Sequence, residues 1–500
     1  MSKVAPAKAT PVREEHHELR ADGITAAGSI VMAVAGSAPA YSIAATTAVL
    51  IAAAGVAGPA ALLWCGIPML GIAWAFSYLG RADVNAGAAY SWVGRALTPI
   101  LGFFAGWALV VSATIFMVAG ALPAGAATVS LFDTKASDNT LLVTIVGAVW
   151  FLIMAGAVLV GVRVTARAQW IMSTVEVAIL VLFAVLAIVH AATGHHEGPS
   201  FDWSWLGFSH FTGLTGAGGF VGAALIAAFY YWGWDVSSNL NEETKNGRKA
   251  AGRGGIIGVI IVFLLFEVFT IAVQVILPAK TIADSNGNLL SILGDEIWPG
   301  IGGKILIIAV ALSTIATLET TLIQVTRTLF AMGRDHTIPL AFGRANPRWR
   351  TPAVATIVVT CVSLILFVGS NFLGSVGDIL ADAVSSIGLQ IAFYYALAAI
   401  AVIVAYRRIV FKSVKNFIFI ALWPGLGAVF MLFIFFAGIE ASLSTPIVLA
   451  IGIGALVIGI VPVLVFYRKG KAYYGRRPLE LPEELVTSQI NINSNDPRVG

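Results

Sequence analysis

Two short stretches decide how this chain folds. Residues 35–39 read Ala-Gly-Ser-Ala-Pro, and residues 231–235 read Tyr-Trp-Gly-Trp-Asp. Each stretch lies in the middle of a long apolar run and contains Gly or Pro, which weaken a helix. Irregular backbone within a membrane is tolerated only where it lines a cavity, because hydrocarbon offers no hydrogen-bond partners. The sequence therefore predicts that both stretches face an internal site.

The composition excludes an ordinary soluble protein. Of the 500 residues, 58% are hydrophobic and 11% are charged, against about 45–50% and about 25% in typical globular chains. The net charge of +4 is spread over short loops, which disfavours nucleic-acid binding. Cys65 and Cys361 both lie in apolar runs, so neither a disulfide framework nor a cysteine zinc site is expected. The expected partner of most of the chain is the lipid bilayer.

Apolar runs that are long enough to cross about 30 Å of hydrocarbon as helices recur along the chain. Twelve such runs lie near residues 24–53, 58–80, 99–130, 141–161, 168–191, 216–241, 254–277, 303–331, 353–373, 378–406, 415–437 and 443–467. If they alternate in direction, all of the 30 Lys and Arg residues except Lys135, Lys280 and Lys304 fall on one side. Cytoplasmic loops carry such an excess. We therefore expect a multi-pass protein of the plasma membrane with both termini in the cytoplasm.

The two interrupted runs are the first and the sixth, a separation that predicts two five-helix halves related by an inverted repeat. The expected fold is an all-α integral membrane protein with twelve transmembrane helices, discontinuous helices 1 and 6, and two extra helices. The predicted organisation is a cytoplasmic tail (1–22), a first half (23–191), a second half (216–406), helices 11 and 12 (414–468) and a second cytoplasmic tail (469–500). One kink alone would indicate packing, since Gly and Pro are common in membrane helices. Two matching interruptions are typical of a transporter with a site near the middle of the bilayer.

A broken helix presents free N–H groups at the start of one half and free C=O groups at the end of the other. Pro39 fits the first position of the outer half of helix 1, where its missing N–H costs nothing. We expect the amide groups of Ala38, Ala40 and Tyr41 to face a carboxylate. Carbonyl groups near Val34, Ala35 and Tyr230 would accept hydrogen bonds from an ammonium group.

The second interruption adds aromatic rings and one carboxylate. The rings between Phe229 and Trp234 either pack helices together or close over a substrate and hold a cation. Asp235 either caps the second half of helix 6 or binds an amine or a proton. The predicted substrate-binding residues are Ala35, Gly36, Ser37, Ala38, Pro39, Tyr41, Tyr231, Trp232, Gly233, Trp234 and Asp235.

Four further runs resemble signatures of the amino acid/polyamine/organocation (APC) permeases, which share the LeuT-type fold. Residues 85–92 read Asn-Ala-Gly-Ala-Ala-Tyr-Ser-Trp, and residues 101–107 read Leu-Gly-Phe-Phe-Ala-Gly-Trp. Helix 6 is followed by Asn-Glu-Glu-Thr-Lys-Asn at 241–246, and residues 327–335 end helix 8 in a run that is also similar to the family. The resemblance implies a secondary active carrier of amino acids or related amines.

Ionisable residues inside predicted membrane helices are costly and indicate function. The resemblance implies that helices 1, 5 and 8 enclose the region in which sodium-coupled members hold a cation. Glu176 lies in helix 5, and Glu319 and Thr320 lie in helix 8, so these three residues are predicted to couple transport to a proton or another cation. The alternative is that each carboxyl group is hydrogen-bonded in helix packing. Glu267 has no evident partner and is interpreted as structural.

The sequence thus predicts a permease that moves amino acids or related amines by alternating access with proton coupling. The alternatives are a polyamine or organic amine transporter and an amino acid exchanger. An enzyme is not expected, because no catalytic motif accompanies the histidines before helix 6. No cofactor or metal is expected either; the alternative is a loop metal site at His195, His196 and Glu197. Paired broken helices also suit a carrier better than a channel.

Charged residues cluster at the predicted cytoplasmic helix ends. The candidates are Arg81, Glu242, Glu243, Arg327, Arg334 and Asp335. They either form exchangeable ion pairs that hold one state of a carrier or make an ordinary solvated face.

Overall fold

The computed structural model describes residues 18–133, 135–195, 197–216, 218–285, 288–370, 376–476, 478–479 and 481, with side chains at all of these except 138 and 376–381. Most of the two predicted terminal tails lies outside the described residues. Within the described residues the regular secondary structure is helical, apart from an isolated bridge between Ile24 and Thr244, and turns and loops connect the helices. The prediction of an all-α protein is confirmed for this part of the chain.

Most helices follow one another with short connections, and the longest segments between helices are 193–219 and 335–352. The first half of the chain contains α1 (Ala26–Ser37), α2 (Pro39–Ala54), α3 (Gly58–Ala82), α4 (Ala89–Ala96), α5 (Pro99–Ser130), α6 (Thr140–Val160), α7 (Val162–Ala192), α8 (Phe220–Tyr230) and α9 (Val236–Asn239). The remainder contains α10 (Gly247–Ile276), α11 (Ala279–Ala283), α12 (Leu289–Ile297), α13 (Gly302–Arg334), α14 (Ala353–Ser370), α15 (Val376–Ala405), α16 (Val414–Asn416), α17 (Trp423–Ala441), α18 (Pro446–Leu449), α19 (Ala455–Ile458), α20 (Ile460–Phe466) and α21 (Lys471–Tyr474).

Among the described residues, ten helical stretches are long and apolar enough to cross a membrane. The first of them, Ala26–Ala82, contains α1, α2 and α3 in succession. The apolar helix α8 is shorter, with 11 residues. The protein is therefore a multi-pass membrane protein, and the number of twelve spans stays a prediction.

Helix α13 lies at the centre of the packing. Every residue from Ser313 to Gly333 is buried, and the helix packs against α1, α2, α5 and α7. On α7, the polar residues Gln169, Ser173 and Glu176 are buried at spacings of four and three residues, so they share one face. The opposite face of α7 exposes aliphatic side chains, as expected for contact with lipid. The polar face of α7 is thus turned toward α13.

The short helix α21 packs against other helices, although the sequence analysis placed it in a cytoplasmic tail. The ring of Tyr473 stacks on that of Tyr90 at 4.8 Å, and its hydroxyl donates to the Pro99 carbonyl at 3.0 Å. Arg476 forms an ion pair with Asp335 at the end of α13. Burial raises the pKa of Asp335, and the charge of Arg476 opposes this rise. Tyr473 therefore holds α21 against α4 and α5, and Arg476 holds the end of this segment against the end of α13.

Candidate functional site

The chain leaves the helical conformation at Ala38, between α1 and α2. Ala38 has φ 47° and ψ 63°, a left-handed conformation that is costly for a residue with a Cβ atom. Its N–H donates to the Ala35 carbonyl at 3.2 Å. Pro39 then occupies the start of α2, and all residues from 35 to 39 are buried. The first interruption predicted from the sequence lies at this left-handed turn.

The second interruption separates α8 from α9. Helix α8 ends at Tyr230, and α9 begins at Val236 and has four residues. Between them Gly233 has φ 95°, a conformation that glycine adopts without steric cost. Residues 231–235 are all buried.

The backbones of the two interruptions contact each other. A Cβ atom on Gly36 would lie 2.2 Å from the Gly233 carbonyl oxygen, and a Cβ atom on Gly233 would lie 2.1 Å from the Gly36 oxygen. Both distances are far below van der Waals contact, so only glycine fits at either position. The hydroxyl of Thr317 on α13 donates to the Gly36 carbonyl at 3.1 Å. The two broken helices and α13 therefore meet at one point inside the protein.

The amide donors at the start of α2 all have partners within the protein. The N–H of Ala40 donates to Glu176 Oε1 at 3.0 Å, and the N–H of Tyr41 donates to Ser313 Oγ at 3.2 Å. The expectation that Ala38, Ala40 and Tyr41 present free amides to a bound carboxylate is thus corrected. Tertiary packing brings Glu176 of α7 and Ser313 of α13 beside this helix end, and local sequence does not reveal such neighbours.

Glu319 and Glu176 have different hydrogen-bond partners. Its Oε2 accepts a hydrogen bond from Gln169 Nε2 at 2.6 Å, and the same amide group donates to the Ala316 carbonyl at 2.8 Å. The hydroxyl of Thr320 donates to carbonyl groups of its own helix. The two carboxyl groups predicted for coupling therefore lie on one α7–α13 interface, each with its own hydrogen-bond donor.

Aromatic side chains join the two interruptions. The ring of Phe116 on α5 packs edge-on against Tyr41 at 6.0 Å and against Trp232 at 5.5 Å. Trp232 Nε1 donates to the Tyr394 hydroxyl at 2.7 Å, and that hydroxyl donates to Asp235 Oδ2 at 3.0 Å. Phe116 and Tyr394 belong to this arrangement but were missed by the sequence analysis, because both come from other helices.

Asp235 occupies the position before α9, yet its side chain forms no capping hydrogen bond there. The capping interpretation is therefore wrong, and the carboxylate instead accepts from Tyr394. Two other predicted site residues pack between helices. The Tyr231 hydroxyl donates to the Leu62 carbonyl of α3 at 3.1 Å, and the Trp234 ring contacts Phe76 at 5.1 Å.

The predicted charged cluster contains a buried ion pair. Arg327 donates to both carboxylate oxygens of Glu243, at 2.9 and 3.2 Å, and the two side chains are 1% and 0% exposed. The Glu243 carbonyl also accepts from the N–H groups of residues 23 and 24. Arg334 pairs with Glu242 at 2.9 Å in a more exposed position. The solvated-face interpretation is therefore wrong for the Arg327 pair.

A separate cavity of about 290 Å³ lies beside the far end of α2. Its lining is apolar except for Gln274, whose side-chain amide donates to the Gly55 carbonyl at 2.9 Å. The described residues contain no group of three or more potential metal ligands. His196, part of the alternative loop metal site, lies outside them.

Comparisons with known proteins match this chain to permeases and other transporters of small molecules. The model of the amino acid permease family matches residues 24–461. The chain is 25% identical over 345 residues to a low-affinity putrescine importer of Escherichia coli (strain K12), covering 67% of this chain and 71% of the relative. It is 26% identical over 402 residues to a branched-chain amino acid permease of Lactococcus lactis subsp. cremoris (76% and 82%). It is 28% identical over 207 residues to a serine/threonine exchanger of Bacillus subtilis (41% and 45%). The family match includes both helix interruptions.

Proposed function

The chain belongs to the amino acid permease family, and on this premise we propose that it is a secondary active transporter of amino acids or related amines. It would carry its substrate across the plasma membrane by alternating access. The observation that carries the proposal is the backbone contact between Gly36 and Gly233, which brings two interrupted helices together at buried polar groups. Such paired interruptions build the central sites of secondary transporters.

We propose twelve membrane spans arranged as two inverted five-helix halves, at 23–191 and 216–406. Helices 11 and 12 lie in 414–468, and both termini are cytoplasmic. Support comes from the broken helix near the start of each half and from the distribution of Lys and Arg residues.

The substrate would bind beside the contact of the two interruptions, against residues of 35–41 and 231–235. Phe116 contacts Tyr41 near the first interruption and Trp232 in the second, and the Tyr394 hydroxyl links Trp232 with Asp235. The relatives favour two substrate classes, since one is a putrescine importer and another a branched-chain amino acid permease. Exchange of substrates is the alternative that the serine/threonine exchanger supports.

Proton coupling is assigned to Glu176, with Glu319 and Thr320 on the facing helix. Glu176 is fully buried and accepts a hydrogen bond from Ala40, in the first turn of the second half of broken helix 1. A neutral carboxyl group is a weaker acceptor than a carboxylate. Protonation would therefore loosen the link between α7 and α2 and couple proton binding to movement of the broken helix.

We expect Glu176→Gln to abolish uphill accumulation driven by a pH gradient. Glutamine keeps an oxygen for the Ala40 N–H group but cannot bind and release a proton. The measurement is uptake of a labelled substrate into proteoliposomes with an imposed inward proton gradient. Uptake by the wild type should saturate and be stimulated by unlabelled substrate inside the vesicles, which distinguishes a carrier from a channel.

The matched control is Glu296→Gln, since Glu296 is an exposed residue of α12. This variant should accumulate substrate as the wild type does. Full gradient-driven accumulation by Glu176→Gln would exclude Glu176 as the coupling group. Flux that does not saturate would contradict the carrier itself.

A further inference from the structure

The start of α2 is a helix end at which the protein supplies its own anion. Helix N-termini bind anions because the first N–H groups lack partners in the helix and the dipole favours negative charge. Here Pro39 has no N–H, Ala40 donates to Glu176, Tyr41 donates to Ser313, and the N–H of Ser42 donates to the Ala38 carbonyl at 2.8 Å. No donor of this turn is left for a carboxylate from outside.

We infer that Glu176 is a resident carboxylate that holds the anion position of the site, and that the transported solute is an amine without a carboxylate beside its amino group. This inference rests on the proposed function, because it specifies the substrate of the same site. Glu176 then has a role in substrate selection. It excludes solutes whose own carboxylate needs the N–H donors in the first turn of α2.

The distribution of charge supports the same substrate class. Glu176, Asp235 and Glu319 are each 0% exposed. Neither 26–54 nor 220–239, the segments that contain the two interruptions, includes a Lys or Arg residue. A buried carboxylate needs a cation or a proton beside it. A zwitterionic amino acid would add no net charge here, because its carboxylate offsets its ammonium group, whereas an amine without a carboxylate would supply the missing positive charge.

Unused acceptor atoms remain for an ammonium group. Glu176 Oε2 and Asp235 Oδ1 are buried and form no hydrogen bond among the described residues, although polar groups of Ser313, Gln324 and Tyr395 lie near the two carboxyl groups. An ammonium group carries three donors, so it can satisfy such atoms without displacing the bonds of Ala40 or Tyr394. The rings of Tyr41, Phe116 and Trp232 offer apolar and π surfaces to the rest of an amine.

The test compares amino acids with their decarboxylation products on the purified full-length protein. The pairs are ornithine with putrescine, lysine with cadaverine, leucine with isoamylamine, and phenylalanine with phenethylamine. Thermal shift titrations give the affinity of each compound, because stabilisation follows ligand concentration and affinity. In the pairs that bind, we expect the amine to bind at least about tenfold more tightly than the amino acid, since the carboxylate of the amino acid finds no free donor.

A variant at Glu176 tests whether this side chain sets the preference for amines. In Glu176→Ala the Ala40 N–H group loses its acceptor, and a substrate carboxylate can take its place. We expect the preference for the amine to fall by about tenfold or more in this variant. Glu176→Gln serves as the matched control, because the glutamine oxygen can still accept the hydrogen bond from the Ala40 N–H group. This variant should keep most of the preference for the amine.

The outcomes separate this inference from the proposed function. If the wild type binds the amino acid of a pair as tightly as the amine, a substrate carboxylate displaces Glu176. The inference is then overturned, while the transporter proposal stands. If neither member of any pair binds, both are contradicted. Should Glu176→Ala fail to fold, the wild-type comparison decides alone.

Discussion

Replacing Gly36 with alanine is expected to abolish transport and to lower the free energy of unfolding by about 3 kcal/mol, at the upper end of the usual cost of overpacking. The added Cβ atom would lie 2.2 Å from the Gly233 carbonyl oxygen and 2.9 Å from its carbon. Both are backbone atoms, so no side-chain rotation can relieve the overlap. The two interruptions would have to separate, and the site that their contact forms would lose its geometry.

The matched control is Gly222→Ala in α8, because a Cβ atom there would meet nothing within 4 Å. This substitution should leave transport intact and leave stability unchanged or slightly higher, since alanine favours a helix over glycine. Thermal unfolding and proteoliposome uptake measure both properties. Equal behaviour of the Gly36 and Gly222 variants would show that the two helix interruptions do not touch.

Replacing Arg327 with methionine is expected to lower the free energy of unfolding by about 3–5 kcal/mol, the cost of leaving one partner of a buried ion pair alone. Arg327 and Glu243 are 1% and 0% exposed and are joined by two hydrogen bonds. The carboxylate of Glu243 would lose both. Because the Glu243 carbonyl also accepts from residues 23 and 24, the segment that leads into α1 would be disturbed as well.

Two comparisons make the Arg327 experiment specific. Arg334→Met breaks the ion pair of Arg334 with Glu242, in which the two side chains are 40% and 19% exposed. This variant should lower the free energy of unfolding by less than about 1 kcal/mol. The double variant Arg327→Met, Glu243→Leu removes both charges and should recover most of the lost stability. Chemical denaturation of the purified variants measures these differences. An equal loss in the Arg327 and Arg334 variants would contradict the structural distinction between the pairs.

The sequence was informative where local chemistry fixes the backbone. The Gly-Ser-Ala-Pro run of 36–39 and Gly233 both mark positions at which a helix is weakened, and each interruption contains a residue with positive φ, Ala38 in the first and Gly233 in the second. Apolar runs likewise predicted the long helices, because lipid leaves few other ways to satisfy backbone polar groups.

The sequence was uninformative where partners come from distant helices. Ser313, Phe116 and Tyr394 contact the interruptions, but they lie far from residues 35–39 and 231–235 along the chain. The partner of Glu319 is Gln169, and that of Glu176 is the Ala40 amide. One signal was present: Gln169, Ser173 and Glu176 recur at helical spacing on α7, which indicates a polar face buried against other helices.

We propose that a small solute binds where the two helix interruptions meet. The most direct measurement is a structure of the protein determined by electron cryo-microscopy in the presence of the amine that binds most tightly among the matched pairs. We predict ligand density beside the contact of Gly36 with Gly233, bordered by Tyr41 and Trp232, with its amino group at Asp235 or Glu176. Ligand density in the cavity at the far end of α2, beside Gln274, with the two interruptions unoccupied, would contradict it.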